Sequence, residues 1–274
     1  MPTVFVTGGF DDVRSRQVRF LEEAARFGPV HVLLRSDEAV AAQTGAPPRF
    51  AEAERRYLVG AMRYVHRLTL CPGPIDPDAL PMPVNAPGAV WVMREAEDRS
   101  ARRAFCRAHG LACRVVPEAD LGVFPVPEAR DLPVPSPRRK KILVTGSFDW
   151  FHSGHVRFFE EVSQLGDLYV VVGHDANIRL LKGEGHPLFP ERERWYMVRS
   201  VRFVTAALIS TGHGWLDAEP EIERLRPDIY AVNEDGDRPE KRRFCEASGI
   251  EYRVLKRVPK EGLPRRQSTD LRDF

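Results

Sequence analysis

The chain has 274 residues, and its 41 Lys and Arg against 39 Asp and Glu leave a formal net charge of only +2 at pH 7. That length accommodates two domains of ordinary size, and the near-neutral charge argues against a nucleic-acid-binding protein. No run of about 18 apolar residues is present, so no membrane span is expected. We find no signal peptide after Met1 and no paired metal-ligand spacing among the cysteines, which favours a cytoplasmic protein.

A strand pattern begins directly after Met1 and ends in Val6-Thr7-Gly8-Gly9-Phe10-Asp11. The chain repeats this segment as Val144-Thr145-Gly146-Ser147-Phe148-Asp149. Further matched segments keep a spacing of about 139 residues: Val18-Arg19-Phe20 with Val156-Arg157-Phe158, and Phe105-Cys106 with Phe244-Cys245. A repeat as long as a whole domain predicts a duplicated domain rather than a solenoid.

The segment from Phe124 to Pro137 holds five prolines, which predicts an extended, semi-rigid connector. We therefore expect a first domain over residues 1–124, a Pro-rich linker over 125–139 and a second domain over 140–274.

Apolar runs and helical patterns alternate in the second half. In chain order we predict a strand at 140–145, a helix after His152, a strand at 168–172, helices at 191–201 and 217–225, a strand at 229–232, a helix at 238–247 and a strand at 252–255. Such alternation predicts an α/β fold, namely two tandem Rossmann-like α/β/α domains with parallel sheets. Ligands of these sheets bind beyond the carboxyl ends of the strands, where residues 146–155, 173–182, 233–237 and 264–272 fall.

Two histidines, His152 and His155, lie three residues apart just after the strand at 140–145. Three residues make almost one helical turn, so both imidazoles should face the same side. Gly154 between them lets a ligand approach the backbone, and the first amides of the helix should be free to bind an anion. The pattern indicates phosphate chemistry, and a zinc site is disfavoured because no third ligand stands at a useful spacing.

With these motifs in place, the second half resembles the cytidylyltransferase-like nucleotidyltransferases. His152-Ser153-Gly154-His155 matches the H-x-G-H signature, and Leu181-Lys182-Gly183 resembles the family's K-G element. Glu193-Arg194 resembles its E-R helix, and Gln267-Ser268-Thr269-Asp270-Leu271-Arg272 resembles its closing S-[ST]-T-x-[IL]-R motif, with Gln267 where a serine is usual. The tandem layout is most similar to ethanolamine-phosphate cytidylyltransferase.

The resemblance implies attack by a substrate phosphate on the α-phosphate of a nucleoside triphosphate, with pyrophosphate released and Mg²⁺ bound to the triphosphate. It implies catalytic roles for His152, His155 and Lys182. It further implies nucleotide-binding roles for Thr145, Gly146, Ser147, Phe148, Gly154, Asp235, Ser268, Thr269 and Arg272, and weaker substrate-binding roles for Asp149, Trp150 and Arg194. Several of these residues have an ordinary structural alternative. Lys182 could be a solvated lysine, Ser268-Thr269 an N-cap, Asp235 a turn residue and Trp150 a core aromatic.

The nucleotide and the acceptor stay open at this stage. We favour CTP and a small phosphorylated acceptor, because the H-x-G-H segment and the tandem layout are most similar to the lipid-headgroup enzymes. The alternatives are an adenylyltransferase that uses ATP on a sugar phosphate, as Leu181-Lys182-Gly183-Glu184 suggests, and a non-catalytic nucleotide-binding scaffold.

The first half lacks the catalytic residues, since Arg14 and Gln17 stand at the two histidine positions and Gln43 falls near that of Lys182. We therefore expect residues 1–124 to be an inactive, degenerate copy. Fusing two copies makes their association intramolecular, so we expect a pseudo-dimer within one chain, with a single active site in the second half.

Overall fold

In the computed structural model, residues 1–73, 75–81, 88–127 and 138–271 are described. Contacts between residues divide the chain into a first unit, Met1–Phe124, and a second unit, Pro125–Phe274. Residues 128–137 of the expected linker lie outside the described part of the chain, as does Arg272 of the closing motif.

The first unit is a five-stranded parallel sheet in the order β3-β2-β1-β4-β5. Its elements are β1 (Val4–Gly8), α1 (Ser15–Ala25), β2 (Val30–Arg35), α2 (Asp37–Thr44), α3 (Glu52–Gly60), β3 (Val65–Cys71), β4 (Val90–Arg94), α4 (Ser100–Ala108) and β5 (Ala112–Val116).

The second unit has the same topology, with strand order β10-β9-β6-β7-β8 and every pair parallel. Its elements are β6 (Lys141–Gly146), α5 (Ser153–Ser163), β7 (Asp167–Val172), α6 (Asp175–Lys182), α7 (Glu191–Arg199), β8 (Ala206–Ile209), α8 (Glu219–Leu225), β9 (Ile229–Asn233), α9 (Pro239–Ala247) and β10 (Glu251–Leu255). The predicted fold class, two Rossmann-like α/β domains with parallel sheets, is confirmed.

The apolar central strands explain why each sheet is parallel and covered by helices. Five consecutive residues of β7, Leu168–Val172, are buried, as expected for a parallel strand covered by helices on both faces. Strand β7, which follows β6 in the chain, pairs with one edge of β6, and β9 pairs with the opposite edge of β6. The strand order reverses at β6, so a crevice opens at the carboxyl ends of β6 and β9, where sheets of this kind bind ligands.

Two elements of the second unit were missed by the sequence interpretation. The short strand β8 reads Ala-Ala-Leu-Ile, and alanine is depleted in strands. The other element is helix α6, in which Lys182 is the last residue. The helix start gave no signal because His174 caps it, accepting the Asn177 N–H at 3.2 Å, where Ser, Thr, Asp or Asn would be usual.

Within the described ranges, no helix is both long and apolar enough to cross a lipid bilayer.

Candidate active site

The two histidines of the second unit lie at the start of α5, beyond the carboxyl end of β6. His152 is the N-cap residue and His155 occupies the third helical position. Their rings stack with centroids 3.9 Å apart and planes at 25°. The local sequence thus places both imidazoles on one side of the helix start, directly at the crevice.

Hydrogen bonds to the backbone fix the tautomers of both rings. His152 Nδ1 accepts the Gly154 N–H at 3.1 Å, and His155 Nδ1 accepts the His152 N–H at 3.3 Å. This pattern assigns the proton of each neutral ring to Nε2. His152 is 3% exposed, and its buried Nε2 has no hydrogen-bond partner among the described residues. A buried donor without a partner is costly, and at the mouth of a crevice it indicates a missing ligand oxygen.

The surroundings hold both imidazoles in their neutral form. Burial lowers the pKa of His155 to about 3, with further lowering by the charges of Arg257 and Lys182. Burial likewise lowers the pKa of His152 well below its usual value, helped by His155, Arg257 and Arg266. Although His155 keeps some exposed surface, its ring is enclosed by Phe151 and Phe148, at centroid distances of 5.4 and 5.3 Å. At neutral pH both rings are therefore uncharged donors.

The expectation that the first amides of this helix are free to bind an anion needs correction. The Gly154 N–H is taken by the His152 ring, and the His155 N–H donates to the His152 carbonyl at 3.0 Å. These two amides are occupied by the cap, so the two Nε2–H groups take over the role of donors at the helix start.

The loop after β6 is held by packing. Phe148 adopts a positive φ of 48° and is 6% exposed, and a Cβ on Gly146 would lie 2.9 Å from its ring. The Thr145 hydroxyl shares a 2.7 Å hydrogen bond with the Tyr230 hydroxyl. In this structure the contacts of Thr145, Gly146 and Phe148 therefore shape the loop after β6.

Lys182 reaches the same loop from the end of α6. Its Nζ donates to the Ser147 hydroxyl at 2.7 Å, and its charge acts on His155. The exposed lysine thus contacts Ser147 and lies close enough to the histidine pair for its charge to lower the pKa of His155.

Asp149 and Arg194, which were expected to bind substrate, are buried and hold the loop after β6 through internal hydrogen bonds. Asp149 is 5% exposed and accepts the N–H groups of Leu188 and Phe189 at 2.7 and 3.1 Å. Arg194 is 1% exposed, and its guanidinium donates to four groups. These acceptors are the carbonyls of Phe189, Ser147 and Gly173 and the Asp175 carboxylate. With every side-chain contact internal, both residues position the active-site loop.

The closing motif lies against the histidine loop. The Ser268 hydroxyl donates to the Trp150 carbonyl at 3.2 Å, and a 3₁₀ turn runs over Ser268–Leu271. A Cβ on Gly154 would approach the His152 ring to 2.9 Å and the Arg266 carbonyl to 3.6 Å, which explains the glycine. Trp150 is partly buried and packs edge-on to Phe189 at 5.6 Å. The Thr269 side chain, like Arg272, lies outside the described part of the structure.

Arg257 was missed by the sequence interpretation, although it follows β10 at the carboxyl edge of the sheet. It pairs with Asp235 at 2.5 Å and donates to the Arg266 carbonyl at 2.8 Å. Asp235, expected to bind nucleotide, is half-exposed and held by this arginine. Together with Gly154, Asn233 and Leu263, Arg257 lines a cleft beside the start of α5.

The first unit fills the corresponding cleft with its own side chains. Arg16 stands at the helix position of Gly154, and its Nη2 pairs with Glu118 Oε2 at 2.9 Å. Arg94, at the position of Asn233, pairs with the same carboxylate at 2.8 Å. Glu118 lies two residues after β5, as Arg257 lies two residues after β10, so the charge at this position is reversed. The two arginines lower the pKa of Glu118, which keeps this ion triad charged.

The chain can now be compared with known proteins. A family model described as cytidylyltransferase-like matches residues 143–241. The FAD synthase of Methanocella paludicola is 31% identical over 136 residues, covering 48% of this chain and 94% of that protein. The chain belongs to the cytidylyltransferase-like family. This membership places it among the nucleotidyltransferases, as the H-x-G-H motif predicts.

Other family members are similar over shorter segments. The FAD synthase of Thermococcus kodakarensis is 39% identical over 101 residues, which are 36% of this chain and 66% of that protein. The FAD synthase of Ferroglobus placidus is 37% identical over 97 residues, which are 35% of this chain and 60% of that protein. The chain thus spans somewhat less than two thirds of these two relatives. Arg257 and the closing motif lie beyond the span of the cytidylyltransferase-like model.

Proposed function

We propose that the second unit is an adenylyltransferase that joins AMP from ATP to flavin mononucleotide, giving FAD and pyrophosphate. The name FAD synthase, shared by the similar proteins, supports ATP as the nucleotide, as in our alternative reading, over the CTP that we first favoured. The acceptor of this reaction is a small phosphorylated compound, as the motifs predict.

The reaction needs no side-chain base. A phosphate oxygen of flavin mononucleotide is already an anion and attacks the α-phosphorus of ATP. The new P–O bond forms as the bond to the bridging oxygen of pyrophosphate breaks, and the electron pair leaves with pyrophosphate. The enzyme must align the two phosphates and stabilise the charge that develops between them.

The observation that carries this proposal is the buried, unpartnered Nε2–H of His152. A preorganised neutral donor in a water-poor site stabilises a phosphoryl oxygen strongly, because it needs no reorientation during the reaction. We assign this role to His152 and, through its own Nε2–H, to His155. Their low pKa values keep both donors in the required state before the substrate enters.

Lys182 and Ser147 supply the second half of the phosphate site. The lysine is anchored to the Ser147 hydroxyl at 2.7 Å but remains exposed to a ligand. We assign it to bridge the α-phosphate and the acceptor phosphate, while Arg257 and the turn at Ser268 face the remaining phosphates.

Mg²⁺ enters this scheme as part of the MgATP substrate. Among the described residues no group of three or more His, Cys, Asp or Glu side chains is placed to hold a metal ion. Triphosphate oxygens and water are ordinary ligands for this ion.

The test is product formation by the full chain. Purified protein is incubated with flavin mononucleotide, Mg²⁺ and each of ATP, CTP, GTP and UTP, and FAD analogues and pyrophosphate are quantified by chromatography. We expect FAD from ATP at a rate at least about tenfold above the other nucleotides. Pyrophosphate release with CTP and a headgroup or sugar phosphate, but no FAD from ATP, would overturn the proposal.

A further inference from the structure

Large apolar side chains of the second unit are exposed on α6, on the turn that packs against α6 and on the segment that follows α6. Leu181 is 54% exposed, Leu188 45% and Trp215 50%. A soluble protein gains nothing from presenting several large apolar groups together, and such patches commonly mark binding sites. We call these three residues the apolar rim.

The structure holds the rim in place through specific contacts. Asn177, which is 1% exposed, donates to the Gly214 carbonyl at 3.1 Å and accepts the Gly214 N–H at 2.8 Å. This clamp fixes the 3₁₀ turn Gly214–Leu216, which carries Trp215, against α6. Leu181 follows Asn177 by four residues, so it lies on the same face of α6 about one turn closer to Lys182.

Leu188 follows Lys182 by six residues in the chain. Its N–H donates to Asp149 Oδ1 at 2.7 Å, which ties the residue to the loop that carries Ser147. Leu181 therefore directly precedes the lysine in α6, and Leu188 is tied to the loop to which we assign the acceptor phosphate.

The first unit offers an internal comparison, because it keeps the fold but lacks the catalytic histidines. The amide of Arg49 donates to Asp11 at 2.9 Å, as that of Leu188 does to Asp149, so a charged residue replaces the leucine. Gln43 stands at the α2 position that Leu181 has in α6, and Ala39 stands where Asn177 clamps the turn. At the two positions compared among the described residues, a charged and a polar side chain of the first unit thus replace Leu188 and Leu181.

We infer that the apolar rim binds the planar, largely apolar ring of the acceptor, with Trp215 as the stacking surface and Lys182 holding the phosphate at the other end of the same molecule. This inference rests on the proposed function and adds the place where the flavin ring is recognised. A planar heteroaromatic ring would cover all three side chains, whereas a small headgroup or a sugar would leave them exposed to water.

The test separates ring recognition from catalysis. In the full chain, Trp215→Ala should raise the KM for flavin mononucleotide roughly tenfold, the scale of a lost aromatic contact, and leave the KM for ATP unchanged. Trp215→Phe should restore most of the affinity. Val123→Ala, which removes part of an exposed apolar side chain in the first unit (66% exposed), serves as the control and should change neither KM.

Flavin binding is also measured without turnover, by quenching of flavin fluorescence. Wild type should quench flavin mononucleotide and Trp215→Ala should not, at equal melting temperature. If FAD forms but Trp215→Ala binds the flavin normally, the rim assignment is wrong and the proposed function stands. If the wild type forms no FAD but binds the flavin through Trp215, the rim stands and the proposed reaction is wrong. Absence of flavin binding by the wild type overturns the rim assignment.

Discussion

Gln17 and His155 make the same hydrogen bond in the two units. Gln17 Oε1 accepts the N–H of the N-cap residue Arg14 at 3.0 Å, and His155 Nδ1 accepts the N–H of the N-cap residue His152 at 3.3 Å. An amide oxygen thus replaces a ring nitrogen in the cap, and the remaining donor of glutamine is the amide group beside that oxygen, not an Nε2–H across a rigid ring. The first unit keeps the local fold of the helix start but has no imidazole donor at this position.

This relationship predicts that His155→Gln separates folding from catalysis. The glutamine should preserve the cap, so the free energy of unfolding should change by no more than about 1 kcal/mol. The turnover number should fall by roughly 10²–10³, the scale for one preorganised transition-state contact, because the amide donor of glutamine does not occupy the place of the ring Nε2–H. Steady-state kinetics and chemical denaturation of the same preparations measure the two effects.

Gln17→Ala is the matched control, and it should leave turnover unchanged because the first unit is expected to be inactive. Equal losses of activity in the two variants would contradict the inactive-copy interpretation.

The low pKa of His155 predicts a pH-dependent stability. The folded chain keeps this ring neutral down to about pH 3, whereas the unfolded chain protonates it below about pH 6.5. Stability is therefore fully present above pH 6.5 and falls as the pH decreases toward 3, by roughly 1 kcal/mol per pH unit for this group. His155→Gln should flatten that dependence between pH 6 and 4, as followed by denaturant titration of the apoprotein. An unchanged slope would show that His155 does not titrate at a lowered pKa.

Lys182 is predicted to serve the substrate more than the fold. Because its ammonium is exposed and contacts Ser147 at 2.7 Å, Lys182→Met should lower kcat/KM by at least roughly tenfold. The melting temperature without ligand should shift by only a few degrees, since one exposed lysine contributes little to stability. Ser147→Ala should lower kcat/KM less, as it removes the anchor but keeps the charge. A large drop in melting temperature for Lys182→Met would make this lysine structural.

How far the sequence predicts this protein depends on the kind of signal that each residue leaves. The strands around Val144 and Val170 and the helix after His152 follow from apolar periodicity, and the duplicated Val-Thr-Gly segments reveal the two units. The spacing of His152 and His155 places both rings together because one helical turn dictates it. These features are local, so the sequence contains them.

The features that the sequence does not reveal are set by distant contacts. Arg194 reads as an exposed helical arginine, but the fold buries it against carbonyls of two strand ends. Arg257 has no motif of its own, and only the parallel order of β9 and β10 brings it to the histidines. The prediction of free amides at the helix start was wrong because the histidine side chains themselves serve as the cap. Propensity scales do not include histidine in this use.

Arg194 and Arg55 are predicted to stabilise their units in the same way. Arg55 is 1% exposed and donates to the carbonyls of Phe50, Gly9 and Arg35, as Arg194 does to Phe189, Ser147 and Gly173. Replacing either by Gln should destabilise its own unit by about 3–5 kcal/mol, because buried carbonyls and a carboxylate lose their donor. Limited proteolysis with mass spectrometry shows which unit opens. Wild-type protection of Arg194→Gln would contradict the stabilising role assigned to this residue.

The last prediction concerns nucleotide stoichiometry and assembly. In the first unit Arg16, Glu118 and Arg94 fill the position that the proposed nucleotide cleft has in the second, and both arginines are already paired with Glu118. One ATP should therefore bind per chain, as measured by calorimetry with a non-hydrolysable analogue. Arg257→Glu, which puts the first unit's acid into the second, should weaken that binding at least roughly 100-fold by replacing attraction with like-charge repulsion. Glu118→Gln should leave the stoichiometry at one.

The same reasoning applies to assembly, because a chain with two related units has no need of a second chain to complete the site in the second unit. Specific activity should stay constant as the protein is diluted to the concentration at which light scattering shows a monomer. Two nucleotides bound with similar affinity, or activity that disappears at that dilution, would contradict a single self-sufficient site. If activity is lost on dilution while one nucleotide still binds per chain, the missing part of the site belongs to a second copy of the chain. The filled cleft of the first unit would still explain the stoichiometry of one.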